Sequence, residues 1–337
     1  MQRIVAAIEA CALGIAAAVV LMAAASASAD RQPDPYLRPI EVPAPADNQI
    51  TPARVELGKA LFFDPRLSAS NWISCASCHN PALGWSDALK TGFGHNMKSL
   101  ARNTPTILNA AFQSIFMWDG RKATLEDQAL GPIQADVEMN QDIAELVKKL
   151  ESIAGYRAMF ERAYPGEAIA DKTIGRAIAN FERTIVSTEA PFDRWRKGDQ
   201  GAMNDSAKRG FALFEGKANC VACHMGFNFT DNGFHNIGLM SQDEGRFAHR
   251  KVPSLKGAFK TPTLRDIELT GPYMHNGMYK SLDEVVDHYD RGGDRKEHLS
   301  VNINPLGLND QERRDLVAFL KSLTGTPMTI SLPMLPQ

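Results

Sequence analysis

Apolar residues recur along this chain at helical intervals. Leu57, Ala60 and Leu61 share one face at i, i+3 and i+4, and Ile174, Ile178, Phe181 and Ile185 fall at i, i+4, i+7 and i+11. Thr51-Pro52 precedes the first of these runs, and proline at the first helical position gives up an N–H the helix would not use. Asn309 followed three residues later by Glu312 has the form of a capping box. It predicts a helix through Leu316, Phe319, Leu320 and Leu323 that stops at Gly325. No stretch shows a convincing apolar/polar alternation, so the pattern predicts a mainly α protein.

The pattern changes at both ends. Arg3 stands ahead of a 16-residue apolar run, Ala10 to Ala25, which leads into Ala27-Ser28-Ala29. A basic residue, a short apolar stretch and a small-residue cleavage site predict a signal peptide over residues 1–29. The run is short for a membrane span, which takes about 20 apolar residues; an uncleaved N-terminal anchor is the alternative. Export places the mature chain in the periplasm and removes Cys11. Residues 30–50 are rich in proline (Pro33, Pro35, Pro39, Pro43, Pro45), which fixes φ and cannot donate a ladder hydrogen bond. This predicts an extended arm. Residues 328–337 form a tail.

Between arm and tail the sequence repeats itself. Gly58-Lys59-Ala60-Leu61-Phe62 is answered by Gly210-Phe211-Ala212-Leu213-Phe214, and Thr104-Pro105-Thr106-Ile107 by Thr261-Pro262-Thr263-Leu264. Trp118-Asp119-Gly120 is answered by His275-Asn276-Gly277, and Leu125-Glu126 by Leu282-Asp283. Two copies of one unit result, not a long repeat array. The expected domains are 51–198 and 199–327, with the boundary in the charged stretch Arg194 to Asn204.

Composition adds limits. The 337 residues are 44% hydrophobic and 23% charged, as in a soluble globular protein. Lys+Arg is 37 against 39 Asp+Glu, a balance that gives no support to nucleic-acid binding, which needs a basic surface. Plentiful Gly and Pro suit short helices joined by long, turn-rich loops.

Four cysteines stay in the mature chain, as Cys75-Ala76-Ser77-Cys78-His79 and Cys220-Val221-Ala222-Cys223-His224. Disulfides, a redox pair or a zinc site could each use cysteines, but none demands histidine directly after both pairs. C-x-x-C-H attaches c-type haem: two thioether bonds fix the edge of the macrocycle and the next imidazole lies under the iron. The two motifs predict two covalent haem c groups, with His79 and His224 as proximal ligands. The fold class is therefore mainly α, with two cytochrome-c-like haem domains related by internal duplication.

Beyond these motifs the chain resembles the bacterial diheme cytochrome c peroxidases and their relative MauG. The resemblance rests on Arg102-Asn103-Thr104-Pro105-Thr106, Trp118-Asp119-Gly120-Arg121, Gly131-Pro132-Ile133-Gln134, Val137-Glu138-Met139-Asn140 and Thr270-Gly271-Pro272-Tyr273-Met274-His275, and runs from about Gln49 to Gly325. It implies a peroxidatic haem in the N-terminal domain and a C-terminal haem that supplies it with electrons. Glu138 then matches the distal acid–base, which takes a proton from the near oxygen of hydrogen peroxide and delivers one to the far oxygen. Its plain alternative is a solvated carboxylate at a helix end. Gln134 would help to hold distal water. Trp118, as a tryptophan ordinarily a core residue, matches the residue between the haems that assists electron transfer. His95 matches a histidine that caps the resting peroxidatic iron and leaves on reduction of the other haem. Asn103, Thr270 and Pro272 match the positions that hold a calcium ion between the domains. His235, His249, His288 and His298 have no partner pattern and read as surface or loop residues.

One position departs from the peroxidases. Their C-terminal haem takes a methionine 14 residues beyond the histidine of the P-Y-x-H segment; here that histidine is His275 and the residue is Tyr289. MauG uses a tyrosine there. Met278, Met274 and His288 are the nearby alternatives. A phenolate favours ferric iron and lowers the potential, whereas a thioether raises it, within a span of about 0.8 V for axial ligands. Three functions follow. The first is a periplasmic peroxidase reducing hydrogen peroxide with electrons from a small c-type cytochrome or cupredoxin. The second is a MauG-like enzyme oxidising a residue of a partner protein with peroxide. The third is a diheme electron carrier, which would have no use for Glu138. The resemblance is also compatible with a homodimer.

Overall fold

The computed structural model describes residues 34–337; the expected signal peptide and the first residues of the arm lie outside them. The N-terminal half contains α1 (Pro52–Phe63), the short α2 (Cys75–Cys78), α3 (Leu125–Gln134), α4 (Ile143–Ser152), α5 (Ala154–Ala163) and α6 (Asp171–Glu182). The C-terminal half contains α7 (Pro191–Arg196), α8 (Asp205–Glu215), α9 (Leu282–Asp290) and α10 (Asp310–Ser322). A two-stranded antiparallel ribbon, β1 (Phe234–His235) with β2 (Phe259–Lys260), lies between α8 and α9 in the chain. Long turn-rich loops join these elements. Thr51 caps α1 and Pro52 opens it. In α10 the box closes both ways: Glu312 N–H donates to Asn309 Oδ1 at 2.9 Å and Asn309 N–H to Glu312 Oε2 at 2.8 Å.

Each half has its own core. The first gathers Leu57, Leu61, Phe62, Trp85, Ile174, Ile178 and Phe181; the second gathers Phe192, Phe211, Phe214, Phe229, Leu316, Phe319 and Leu323. Phe192 and Trp195 of α7 pack in the second core, so that core begins before the charged stretch between the halves. The same crossing builds both. α1 lies on α6 so closely that a Cβ at Gly58 would be 1.9 Å from the Ala177 carbonyl oxygen. α8 lies on α10 so that a Cβ at Gly210 would be 1.9 Å from the Asp315 carbonyl oxygen. The repeated glycine is thus the contact point of a repeated helix pair.

The arm and tail each cross to the other half. Tyr36 is buried in the second core, stacked on Phe229 at 5.2 Å, and its carbonyl accepts from Arg265 Nη2 at 2.8 Å. Further on, Asn48 is buried in the first half, where its amide donates to Glu126 Oε1 at 2.8 Å and to the Arg176 carbonyl at 3.1 Å. At the other end Met328 and Ile330 pack on the first core, and Gly155 N–H donates to the Gln337 carbonyl at 2.9 Å. Arm and tail are therefore straps that hold the two halves together. Among the described residues no helix is long and apolar enough to cross a membrane.

Gly58→Ala and Gly210→Ala should each destabilise the fold by about 1–3 kcal/mol or more, the cost of overpacking a tight contact. Gly131→Ala, whose new Cβ meets nothing nearer than 3.4 Å, should cost far less. Denaturant unfolding followed by circular dichroism measures all three.

Candidate active site

The cysteine motifs of both halves open into one cavity of about 830 Å³ between the domains. In the first, Ser74 N–H donates to Ser77 Oγ at 3.0 Å and starts α2, and His79 N–H closes it on the Cys75 carbonyl at 2.9 Å. In the second, a 3-10 turn over Cys220–Ala222 places His224, whose N–H donates to the Cys220 carbonyl at 2.9 Å. All four cysteines are free of disulfides. Each imidazole is oriented from behind: His79 Nδ1 lies 3.1 Å from the Trp85 carbonyl and His224 Nδ1 lies 2.8 Å from the Phe229 carbonyl. With Nδ1–H donating to a carbonyl, Nε2 is left unprotonated as a ligand atom. Burial lowers the pKa of both, that of His224 to about 4, which keeps them in the neutral, metal-binding form. Two thiols and one back-bonded imidazole at each end of the cavity fit a covalently attached haem c.

Glu138 lines the cavity in the loop after α3. Burial raises its carboxyl pKa against the opposing effect of Arg121. Its carbonyl accepts from the His95 N–H at 2.7 Å, an approach that needs Gly94, where a Cβ would sit 1.9 Å from the Val137 carbonyl oxygen. The His95 side chain is not in the cavity wall; its Nδ1 is buried without a hydrogen-bond partner among the described residues. Gln134 differs from expectation. It is exposed and donates to the Leu130 carbonyl of its own helix at 3.1 Å, because α3 turns Gln128, Ala129 and Pro132 to the cavity instead.

Trp118 lines the cavity, half-buried, and its Nε1 donates to the Asn103 carbonyl at 2.8 Å. Around it the halves meet with approximate two-fold symmetry. A constant offset of 157 residues carries 103 to 260, 118 to 275 and 125 to 282. Asn103 N–H donates to the His275 carbonyl, and the equivalent Lys260 N–H donates to the Trp118 carbonyl, both at 2.8 Å. Arg102 reinforces the seam by pairing with Asp119 at 2.6 Å and Asp243 at 2.7 Å. Asn103, Thr270 and Pro272 all line the cavity. Asn103 Nδ2 is taken by the Leu89 carbonyl at 2.8 Å.

Under the same offset Tyr289 in α9 is the counterpart of Pro132 in α3. Both line the cavity. Tyr289 brings a phenol with no hydrogen-bond partner among the described residues, raised in pKa by burial and then by the neighbouring Cys220 and Cys223. Pro132 brings no ligand atom. Met278 lies outside this cavity, in a separate shallow depression with Tyr279 and Glu284, while Met274 is in the wall. His288 is corrected: it is fully buried, bonding through Nε2 to the Ile237 carbonyl at 2.8 Å and through Nδ1 to Tyr279 Oη at 3.0 Å. Its ring lies edge-on to Tyr289 at 5.5 Å but stays out of the cavity wall. His235 is also no plain surface residue; it lines the cavity, 2.8 Å from Asp231 Oδ2. No local pattern marks Glu182, which is buried in the wall with its carboxyl raised to about 8 by burial.

The site is that of a helical protein with two haem c motifs in symmetric halves sharing one cavity. A family profile described as di-haem cytochrome c peroxidase matches residues 52–201, and one described as cytochrome c matches 207–324. The chain is 50% identical over 305 residues to methylamine utilization protein MauG of Methylorubrum extorquens, covering 89% of this chain and 86% of that one. It is 36% identical over 324 residues to cytochrome c551 peroxidase of Nitrosomonas europaea, covering 94% and 91%. Among solved structures it is similar to a MauG-like protein associated with microbial copper homeostasis, with a TM-score of 0.79, 31% identity and coverage of 88% and 95%. The chain belongs to the di-haem cytochrome c peroxidase family that includes MauG.

Proposed function

We propose that this protein reduces hydrogen peroxide to water on the N-terminal side of the cavity, with electrons entering through the C-terminal side. The donor is a small c-type cytochrome or cupredoxin in the periplasm, where the N-terminal signal sequence would send the chain. The observation that carries this reading is the pair of unequal groups on one cavity: the half-buried Glu138 carboxyl beside the first motif and the Tyr289 phenol beside the second. Haem c held by Cys75, Cys78 and His79, and by Cys220, Cys223 and His224, supplies the iron redox chemistry. Glu138 takes the proton from the near oxygen of peroxide and delivers it to the far oxygen, and its raised pKa suits both transfers. A carrier needs no such group. Pro132 leaves the first distal side without a ligand, and His95, outside the cavity wall, leaves it accessible. Trp118 spans the seam between the two motifs. Asn103, with its amide nitrogen already donated, offers Oδ1 alongside carbonyls of Thr270 and Pro272, an all-oxygen donor set suited to calcium.

Tyr289 favours a second reading alongside the first. A phenolate ligand lowers the potential, which suits the sharing of oxidising equivalents and the oxidation of a residue on a partner protein, the MauG-like mode. The 50% identity to a MauG supports it.

Two outcomes test these readings. Glu138→Gln should keep both haems yet lose peroxide turnover by about 10²-fold or more, the size of a general acid–base effect; stopped-flow oxidation of reduced cytochrome c measures it, and near-normal turnover removes Glu138 from the mechanism. The diferric protein should lack the near-infrared charge-transfer band of a His/Met haem, and Tyr289→Phe should open that site to added imidazole. Finding the band in the wild type would make a methionine the ligand, Met274 being the one on the cavity wall.

A further inference from the structure

We propose that Lys260 and Gln113 form a carboxylate subsite at the domain seam that takes a haem propionate. The inference rests on the reading that haem c occupies the cavity. Lys260 lies on β2 from the C-terminal half, and its backbone N–H is fixed to the Trp118 carbonyl at 2.8 Å. Its side chain is buried, the residue only 8% exposed, and both Lys260 and Gln113 line the cavity. Nζ donates to Gln113 Oε1, from the N-terminal half, at 2.9 Å. An ammonium has three N–H donors, and among the described residues the other two have no partner.

No carboxylate of the described residues pairs with it. Asp231 is the nearby acid that acts on it, but Asp231 is engaged elsewhere: Oδ2 with His235 Nε2 and Oδ1 with the Gly233 N–H, both at 2.8 Å. The arginines of this wall are already paired, Arg295 with Glu297 at 2.8 Å among them, and its other lysine, Lys256, is exposed to water. Arg102 pairs with Asp119 and Asp243, and Arg121 pairs with Asp119 at 2.8 Å. Burial lowers the Lys260 pKa to about 8, which leaves it protonated at neutral pH in the majority.

A buried ammonium without a counter-charge is costly, and the cavity's occupant brings the missing charge. Haem has two propionates as its anionic groups, and a carboxylate receiving two N–H bonds from an ammonium makes a charge-assisted contact stronger than a neutral one. The symmetry-equivalent position in the other half is Asn103, an uncharged amide, so the cation is a feature of one half only. The subsite draws one residue from each half and places a propionate beside Trp118.

The test uses the holoprotein, with two haems per chain confirmed by the pyridine haemochrome assay. Lys260→Gln and Lys260→Arg are compared by spectroelectrochemical titration and by resonance Raman of the propionate bending bands. Lys260→Gln should lower the midpoint of one haem and not the other, because loss of a nearby positive charge favours the ferric state, and should shift one propionate band. Lys260→Arg should restore both. If Lys260→Gln carries two haems with both midpoints and all propionate bands unchanged, the lysine serves only the seam and the proposal fails. A wild-type chain without two haems would instead overturn the cofactor reading itself.

Discussion

Two backbone hydrogen bonds, Asn103 to His275 and Lys260 to Trp118, decide how the halves of this protein meet. They are the same bond made twice, once in each direction, and they hold the two haem motifs on one cavity. Other features support this arrangement. Arg102 clamps Asp119 and Asp243 across the seam. The arm anchors Tyr36 in the second core before Asn48 enters the first, and the tail returns to the first half through Gln337. Each half is built independently by its own close helix crossing at Gly58 or Gly210.

Function lies where the symmetry fails. Equivalent positions of the cavity wall hold Pro132 and Tyr289, a side chain without a ligand atom against a phenol. Asn103 and Lys260 are also equivalent, an amide against an ammonium. In the crossed helices, Glu182 of α6 corresponds to Leu320 of α10, both on the cavity wall, so the buried acid belongs to the N-terminal side alone. Duplication supplied two similar haem sites, and a few substitutions in the wall made them chemically different. The half-buried Glu138 carboxyl, the group proposed for proton transfer, lines the N-terminal side of the same wall.

Much of this could be read in the chain before folding, wherever the signal is local. The cysteine motifs, the Asn309 capping box, the Pro52 helix start and the repeated Gly58 and Gly210 depend on near neighbours in sequence. Resemblance alone singles out Glu138 and Tyr289, and both line the cavity. Gln134 was misplaced because its role depended on helical phase: Gln128 and Pro132 take the inner face of α3, and Gln134 falls outside it. His288 looked solvated but is buried by the Ile237 segment and Tyr279, both outside its own helix. The crossing of the arm and the lack of a counter-charge at Lys260 escape the sequence for the same reason; each depends on segments distant in sequence.

Under the proposed function the two distal sides are unequal, one open and one closed by Tyr289. Titrating the diferric holoprotein with cyanide, followed by low-temperature electron paramagnetic resonance, tests it most directly. One cyanide should bind per chain, with the spectrum of one haem converted and that of the other unchanged. Uptake of two would show that Tyr289 does not hold its iron; uptake of none without prior reduction would show that the N-terminal side is closed at rest, with His95 swung in from its place beside Glu138.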